Sequence, residues 1–479
     1  MIKRIFGGAL AAISMFVSVT ILPVSAAKYE LAAPSGYISP FKDLQKDDWY
    51  YEFVSTLNSA GMIDGYGDGY FGANDPLTAG AALVMVLKAA GTGDIAPVDS
   101  HYASGYAKYA VEHGYLTKEQ IGDLEEPMER VLVAHLAVKA LGLELSTGKT
   151  PFADIDDPYL TTLYEFGIVT GSQQDGELVF LPEQSITRAE ISVIVWQVDR
   201  VHRFGKQIAF MGDYYDILQD VPVNSYSPQD FQKKDGRIYY EKDGKKAVAG
   251  IDVSVHQGSI DWQKVKDSGI EFAMLRVGYR GYGSEGKIMP DKYFKENIEG
   301  AYSVGMDVGI YFFSQSVTEA EARQEAAYVI EQLEPYCQYI TYPVVYDWEH
   351  QNYDGSRTQK IPNVNMMTTM IHAFCQEIED AGYQPMVYFY QNLAYNNLDL
   401  SQITEYPFWL AQYTDYPSFY YNFDMWQYTS SGKIPGISGA VDLNLYFTPE
   451  KIQVSPPKQE EQEVEEDVPY WVPVNNSQL

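Results

Sequence analysis

PVVYDWEH, residues 343–350, is an apolar run that ends in two acids separated by a single residue. Its Val and Tyr residues are typical of a buried strand, yet Asp347 and Glu349 place two carboxylates at its end. Side chains two positions apart on a strand point to one face, so both acids share a side and Trp348 faces away. Charge at the end of a buried strand indicates a functional site there.

Similar apolar runs flank this stretch, and helical patterns separate the early ones. The eight candidate strands are GIDVSVH (250–256), FAMLRVG (272–278), DVGIYFFS (307–314), PVVYDWE (343–349), PMVYFY (385–390), PFWLAQY (407–413), MWQYT (425–429) and VDLNLY (441–446). Alternation of strand and helix predicts parallel pairing with right-handed crossovers. We therefore predict a closed α/β barrel of the TIM-like (β/α) class, with reduced helices because the last connections are too short to hold full ones.

Two further acids occupy comparable places in this predicted barrel. Asp252 lies in the first strand and Asp442 in the last, and these strands become neighbours when the barrel closes. A single acid at a strand end is more often a capping or loop residue, but four acids facing one mouth would raise each other's proton affinity. The set predicts a catalytic pocket. No compact His or Cys cluster has metal-ligand spacing, so we predict neither a metal nor another cofactor.

The same stretches closely resemble the family 25 glycoside hydrolases, the lysozymes that cut peptidoglycan between N-acetylmuramic acid and N-acetylglucosamine. GIDVSVHQGSIDW, FAMLRVGYRG, YPVVYDWE, FWLAQY and MWQYTSSGKIPGISGAVDLN carry the resemblance over residues 248–449. It implies that Glu349 is the general acid and that Asp347 stabilises positive charge or orients the 2-acetamido group. Asp252 and Asp442 would tune the charge and hold substrate. The sugar-contacting residues it implies are Tyr388, Trp409, Tyr413 and Gln427.

Two other functions remain open from the residues alone. A chitinase-like hydrolase also uses a D-x-E strand end, but such enzymes carry another Asp where this chain has Val345. A non-catalytic wall-binding protein could keep a lysozyme-like fold. The presence of all four acids argues against that second alternative.

An internal repeat precedes the barrel. Gly61, Gly114 and Gly167 recur at a constant interval of 53 residues, each between an aromatic-rich helical pattern and a second apolar helix. A pair of short helices cannot bury its apolar faces alone, so we expect three copies to pack as one all-α unit.

The repeats resemble the S-layer homology family over about residues 38–200. GYGDGYFGANDPLT in the first copy, and PFADI with the Thr-Arg-Ala-Glu stretch at 187–190 in the third, carry the resemblance. It implies binding of a secondary cell-wall polymer, with Arg188 as the best ligand and Arg130 at the aligned position of the second copy. The first copy has Ala79 there, so its groove lacks the charge.

The remaining segments complete the domain organisation. Residues 1–27 read as a secretory signal peptide, 201–247 as a connector with a small hairpin at Asp243-Gly244, and 450–479 as an acidic disordered tail. No later stretch is predicted to insert stably into a membrane once the signal is removed. Cys337 and Cys375 could pair or remain two buried thiols.

The amino-acid composition limits which classes of partner the protein can bind. The chain has 479 residues, with 65 acidic against 34 basic ones and a formal charge of −31, which argues against nucleic acid. The expected partners are peptidoglycan glycan strands and a secondary cell-wall polymer. The hypothesis from sequence is a secreted lysozyme attached to the wall or S-layer of a Gram-positive-type bacterium.

Overall fold

A computed structural model describes residues 33–447 and 449 of the chain. The predicted signal peptide and the predicted acidic tail lie outside these residues. The chain forms two compact units that divide between Ile217 and Leu218. None of the helices in the described part is long and apolar enough to cross a membrane.

The first unit is mostly helical. Its helices are α1 (Tyr51–Ser59), α2 (Ala79–Ala89), α3 (Ser104–Glu112), α4 (Lys118–Ile121), α5 (Arg130–Leu141), α6 (Pro158–Glu165) and α7 (Arg188–Phe204). Its strands form two hairpins, β1 (Ser172–Gln174) with β2 (Glu177–Val179) and β3 (Gln207–Phe210) with β4 (Asp213–Asp216).

The expectation of a purely helical first unit is therefore wrong in this detail. Both hairpins turn at a pair of residues with positive φ, Asp175-Gly176 and Met211-Gly212. Such pairs form the tight turns whose twist matches two antiparallel strands.

The three helical pairs repeat one structure. α1, α3 and α6 each end just before a repeat glycine, and Gly61, Gly114 and Gly167 have φ values of 70°, 68° and 67°. A residue with a Cβ rarely adopts this conformation, which explains why glycine recurs at the interval of 53 residues.

The loops before the second helices of the pairs interlock in a ring. Bridges join Pro76 to Thr187, Thr78 to Pro127, and Glu129 to Ser185, so each loop pairs with the other two. Residues from all three pairs contribute to one continuous hydrophobic core. The repeats thus stabilise one another, because none has a core of its own.

The second unit is a closed barrel preceded by a small three-stranded sheet. The sheet contains β5 (Phe231–Lys234), β6 (Arg237–Lys242) and β7 (Lys245–Lys246). The barrel strands are β8 (Val248–Val253), β9 (Phe272–Arg280), β11 (Asp307–Ser314), β12 (Val344–Trp348), β13 (Pro385–Tyr390), β14 (Phe408–Ala411), β15 (Met425–Gly432) and β16 (Val441–Tyr446); β10 (Ile288–Pro290) pairs with β9 at the side. All eight barrel strands coincide with the predicted runs, which confirms the eight-stranded barrel.

Among the residues that the structure describes, α-helices follow the first five barrel strands. They are α8 (Trp262–Asp267), α9 (Phe294–Ser303), α10 (Glu319–Leu333), α11 (Val364–Asp380) and α12 (Gln391–Asn397). The barrel strands β8, β9 and β11 to β15 pair in parallel, whereas β16 is antiparallel to both of its neighbours, β15 and β8. The barrel is thus mostly built of strands, and its last strand is reversed.

The segment before β8 packs where the barrel lacks helices. The ring of Tyr226 stacks on Phe447 at 4.0 Å between centroids, and its hydroxyl donates to the Phe423 carbonyl oxygen at 3.0 Å. Phe231 lies edge-on to Trp426 at 5.5 Å. The predicted single connector is therefore divided: its first part belongs to the helical unit, and its last part covers the barrel beside β15 and β16.

The two cysteines do not form a disulfide. Cys337 and Cys375 are both free thiols, and Cys375 on α11 is fully buried. Burial raises the pKa of the Cys375 thiol well above its ordinary value. Of the two possibilities left open by the sequence, the structure contains unpaired thiols.

Candidate active site

One cavity of about 290 Å³ lies at the carboxyl ends of the parallel barrel strands. All eight predicted site residues of the barrel line it: Asp252, Asp347, Glu349, Tyr388, Trp409, Tyr413, Gln427 and Asp442. Other lining residues to which the sequence analysis gave no role include Ser254, Arg276, Tyr282, Tyr311 and Phe313. The barrel therefore gathers the predicted acids into one pocket; their chemical roles remain predictions.

Strand geometry explains how the acids meet. Asp347 is the fourth residue of β12 and Glu349 follows its end, so both side chains reach the cavity while Trp348 packs outside it with 1% exposure. Asp442 and Asp252 are directly paired across β16 and β8. Asp442 reaches the cavity because β16 is antiparallel and begins at this end of the barrel.

Two side-chain amides hold Asp252. Its Oδ2 accepts hydrogen bonds from Gln427 Nε2 at 2.9 Å and from Asn444 Nδ2 at 2.8 Å. Burial raises its pKa to about 6, while these two donors favour the ionised form. Burial and the Asp252 charge raise the pKa of Asp442 to about 8. Within this pair, the amide donors therefore favour the charge on Asp252, and that charge favours the proton on Asp442.

The pair on β12 is also disposed to hold protons. Burial, followed by the charges of Glu349 and Asp252, raises the pKa of Asp347 well above its ordinary value. Burial also raises the pKa of Glu349, against a hydrogen bond from Tyr388 that lowers it. Asp347 Oδ1 is buried and has no hydrogen-bond partner in the structure. A buried oxygen without a partner is available to a hydrogen-bonding group of a bound ligand.

Arg276 brings a positive charge to this acidic pocket. Phe272 and Met274 on β9 lie in the barrel core, and the two-residue period then places Arg276 on the same inner side. Its Nε donates to Asp291 Oδ2 at 2.8 Å, and the side chain of Asp291 is fully buried. The guanidinium charge lowers the pKa of Asp347 against the larger effect of burial. The alternation of β9 was the signal that could have identified Arg276.

The four predicted sugar-contacting residues differ in how the protein uses them. Both ends of the Gln427 amide form hydrogen bonds within the protein, since Nε2 donates to Asp252 and Oε1 accepts from the Tyr413 hydroxyl at 2.9 Å. Trp409 is 2% exposed and donates Nε1 to Asn444 Oδ1 at 2.9 Å. Tyr388 is also buried, whereas Tyr413 is 55% exposed. Of the four, Tyr413 therefore has a ring surface open to a ligand.

In the helical unit, Arg188 begins α7 and reaches the loop of the first repeat. Its guanidinium donates to the carbonyl oxygens of Phe71 at 2.7 Å and Asp64 at 2.5 Å, and it lies over the rings of Tyr66 and Phe71. Only 6% of Arg188 is exposed. The residue thus joins two repeats.

Arg130 makes the matching contact between the second and third repeats. Its Nε donates to the Phe180 carbonyl oxygen at 3.1 Å, and its Nη1 pairs with Glu190 Oε1 at 2.6 Å. Ala79 takes the equivalent place in the first repeat, at the start of α2. The three positions are therefore equivalent in the fold, but the first repeat lacks the charge that the other two share.

No group of three or more His, Cys, Asp or Glu side chains in the described part of the chain is arranged to hold a metal ion. The pocket instead offers carboxyl, carboxylate, amide, hydroxyl and guanidinium groups. These groups suit proton transfer and hydrogen bonding to a polar, uncharged molecule such as a sugar.

Comparison with known proteins identifies both units. The model of glycosyl hydrolases family 25 matches residues 251–437, and the model of the S-layer homology domain matches residues 40–82. Lysozyme M1 of Streptomyces globisporus is 29% identical over 206 residues, which cover 42% of this chain and 67% of that protein.

A second relative and a solved structure also match this chain. The uncharacterized protein YegX of Escherichia coli O157:H7 is 30% identical over 217 residues, 43% of this chain and 72% of that protein. The structure of the modular autolysin LytC from Streptococcus pneumoniae, in complex with a synthetic peptidoglycan ligand, is 27% identical with a TM-score of 0.38. That match covers 49% of this chain, which spans about half, 53%, of the autolysin chain. The chain belongs to glycosyl hydrolases family 25 and carries an S-layer homology domain at residues 40–82.

Proposed function

We propose that the barrel hydrolyses the β-1,4 bond between N-acetylmuramic acid and N-acetylglucosamine in peptidoglycan. The observation that carries this proposal is the pocket itself: four carboxyl groups face one cavity, and the pKa of each is raised. Paired acids at different protonation states are what glycoside hydrolysis requires. Membership of family 25, with a lysozyme among the relatives, supports the choice of bond.

Glu349 is the proposed general acid. Burial raises its pKa, which keeps the carboxyl protonated closer to neutral pH, so it can protonate the leaving glycosidic oxygen. Its place just beyond the end of β12 puts the carboxyl at the mouth rather than in the barrel core.

Asp347 is the proposed partner of Glu349. Its buried Oδ1 lacks a donor, and the N–H of a 2-acetamido group is a donor that the proposed substrate carries. When ionised, the same carboxyl would stabilise positive charge that develops on the sugar ring.

Asp252 and Asp442 are proposed to hold substrate and tune the charge of the site. The ionised Asp252 keeps Asp442 protonated, so Asp442 can donate a hydrogen bond as well as accept one. Tyr413 is the proposed stacking surface for a sugar, with Tyr388, Trp409 and Gln427 supporting the pocket.

The helical unit is proposed to anchor the enzyme to a secondary cell-wall polymer. The S-layer homology match at 40–82 supports the first repeat, and the ring of interlocked loops supports the assignment of the other two. Arg188 and Arg130 are the proposed polymer ligands. Together with the proposed signal peptide at 1–27, this makes the chain an extracellular enzyme of the cell wall, in which tethering raises its local concentration.

We propose five segments for the whole chain. They are the signal peptide 1–27, three repeats at 38–200, the divided connector 201–247, the barrel 248–449 and the acidic tail 450–479. The barrel belongs to the (β/α) class in a reduced form, in which the described residues include α-helices after its first five strands.

Digestion of purified peptidoglycan tests the proposal. The mature chain is compared with Glu349→Gln, and the fragments are read by reducing-end assay and mass spectrometry. Fragments ending in reducing N-acetylmuramic acid, from the wild type alone, are expected. Fragments ending in reducing N-acetylglucosamine would show that the enzyme cuts a different bond from the one proposed. Cleavage of chitin oligomers alone would favour a chitinase-like enzyme. If none of several wall types is cleaved, a binding protein is favoured.

A further inference from the structure

Three buried polar residues lie at the end of β11 and just after it, and none of them lines the cavity. Ser314, Gln315 and Ser316, here called the Ser-Gln-Ser turn, are each 0% exposed. Polar groups buried to this degree are costly unless they are hydrogen bonded, so the partners of the turn show what it supports.

The turn binds the end of the strand that carries the acids. Gln315 Nε2 donates to the Glu349 carbonyl oxygen at 2.5 Å. Trp348 Nε1 donates to the Ser316 carbonyl oxygen at 2.8 Å, and Ser316 Oγ lies 2.6 Å from the Tyr346 hydroxyl. Tyr346, Trp348 and the main chain of Glu349 are therefore held by the same turn, whose residues do not line the pocket.

Glu349 needs such support because it lies beyond the strand ladder. The pairing of β12 with β11 ends at Trp348, and its pairing with β13 ends at Asp347. The Glu349 carbonyl oxygen consequently receives its hydrogen bond from a side chain. The other bonds of Gln315 fix that amide, since Nε2 also donates to the Ser314 carbonyl oxygen at 3.0 Å and Oε1 accepts from Thr358 Oγ1 at 2.8 Å.

A buried ion pair anchors the turn to the surrounding elements. Ser314 Oγ donates to Glu325 Oε2 at 2.6 Å, and Arg280 Nε donates to Glu325 Oε1 at 2.5 Å. Glu325 lies on α10 and Arg280 on β9, and both side chains are at most 5% exposed. The turn is thus bonded to two elements other than β12.

We propose that Gln315 is a positioning residue for the reaction: through its hydrogen bond to the Glu349 carbonyl oxygen, it fixes the main chain of Glu349 and so the place of the carboxyl in the pocket. This inference rests on the proposed function of Glu349 as the acid. Misplacing a reacting group by about 1 Å costs on the order of 100-fold in rate, while ground-state binding of the sugars is less sensitive.

The test replaces Gln315 by Met in the full mature chain. Gln315→Met keeps the length and burial of the side chain but removes both hydrogen-bonding groups. We expect kcat on peptidoglycan to fall by about 10- to 100-fold with KM changed by less than about twofold. The matched control is Gln384→Met, which removes a half-buried amide with a buried Oε1 just before β13, at the opposite end of the barrel; it should retain activity within about twofold.

Gln315→Glu supplies the conservative variant. A carboxyl buried at this place stays protonated and can donate to the Glu349 carbonyl oxygen, so this variant should exceed Gln315→Met in kcat. Its advantage should shrink as the pH rises and the carboxyl ionises. A role limited to filling space would give both variants the same pH profile.

Hydrogen exchange separates this inference from the proposed function. Loss of the Gln315 bond should speed exchange in the peptide containing residues 346–351 by about tenfold, whether or not the enzyme is active on the chosen wall. Unchanged exchange, unchanged kcat in a folded Gln315→Met, or an equal loss in Gln384→Met would each overturn the positioning role. Faster exchange in a wild-type background that cuts no peptidoglycan would overturn the proposed function instead.

Discussion

Replacing Asn444 by Leu tests whether the charge of Asp252 is set by its amide donors. Asn444 Nδ2 is one of two donors to Asp252 Oδ2, at 2.8 Å, and it is 1% exposed. A hydrogen bond to a buried charge contributes about 1.5–3 kcal/mol, and about 1.36 kcal/mol corresponds to one pKa unit. Loss of this bond should therefore raise the pKa of Asp252 from about 6 by about one to two units.

The sign follows from the form that is stabilised. The donors favour the carboxylate, so their removal favours the acid, and a higher pH is then needed to ionise the Asp252–Asp442 pair. The acid limb of the kcat/KM profile should move to higher pH by about one unit or more, while activity on the alkaline side changes less. Initial rates of peptidoglycan hydrolysis between pH 4 and 9 measure this shift.

Trp409→Phe is the matched control. Asn444 Oδ1 also accepts from Trp409 Nε1 at 2.9 Å, and this control removes that bond while leaving the donor to Asp252 in place. Its acid limb should stay at the wild-type position. An unmoved limb in a folded Asn444→Leu, or an equal shift in Trp409→Phe, would refute the assignment of the charge to Asp252.

Three other changes have defined outcomes. Asp442→Asn should raise the melting temperature at pH 7 more than at pH 4, because the folded-state pKa of about 8 exceeds the unfolded value and stability is lost as pH rises between them; equal gains at both pH values in thermal unfolding would contradict this. Tyr226→Ala should lower the free energy of unfolding of the barrel unit by about 2–3 kcal/mol, measured by urea titration. Tyr239→Ala should lower it less, because the Tyr239 side chain is exposed. Equal effects of the two variants would contradict a stabilising role for the aromatic cover. Arg188→Gln should weaken binding to isolated walls, measured by co-sedimentation, at least about tenfold, while hydrolysis of soluble fragments persists. The control Arg203→Gln, on the same helix, should bind walls normally. Equal binding by the two variants would contradict a ligand role for Arg188.

Much of the barrel could be predicted from the sequence, because the patterns that indicate its strands are local. Each strand is a short apolar run, and the period of two on β12 already placed Asp347 and Glu349 on one side. The neighbourhood of Asp252 and Asp442 was also predictable, since closing a barrel brings its first and last strands together. Alternation does not reveal direction, however, so the reversed β16 was not predicted.

The side-chain partners of the acids could not be predicted from local patterns in the sequence. Gln315 and Glu349 are 34 residues apart, and neither a motif nor a period connects them. The cover over β15 and β16 comes from aromatic residues of a stretch that looked like a connector, because its composition gives no sign of what it packs against.

By itself, the sequence determined which residues could form strands and helices, where the repeats fall, and which acids share a face, because these depend on local periodicity and on the backbone preferences of glycine. Only the tertiary structure decided how each acid is held and how its surroundings shift its pKa. Those properties depend on burial and on partners such as Asn444, Arg276 and Gln315, which chain folding brings together from distant segments. The same acids in an unfolded chain would have ordinary pKa values and no common pocket.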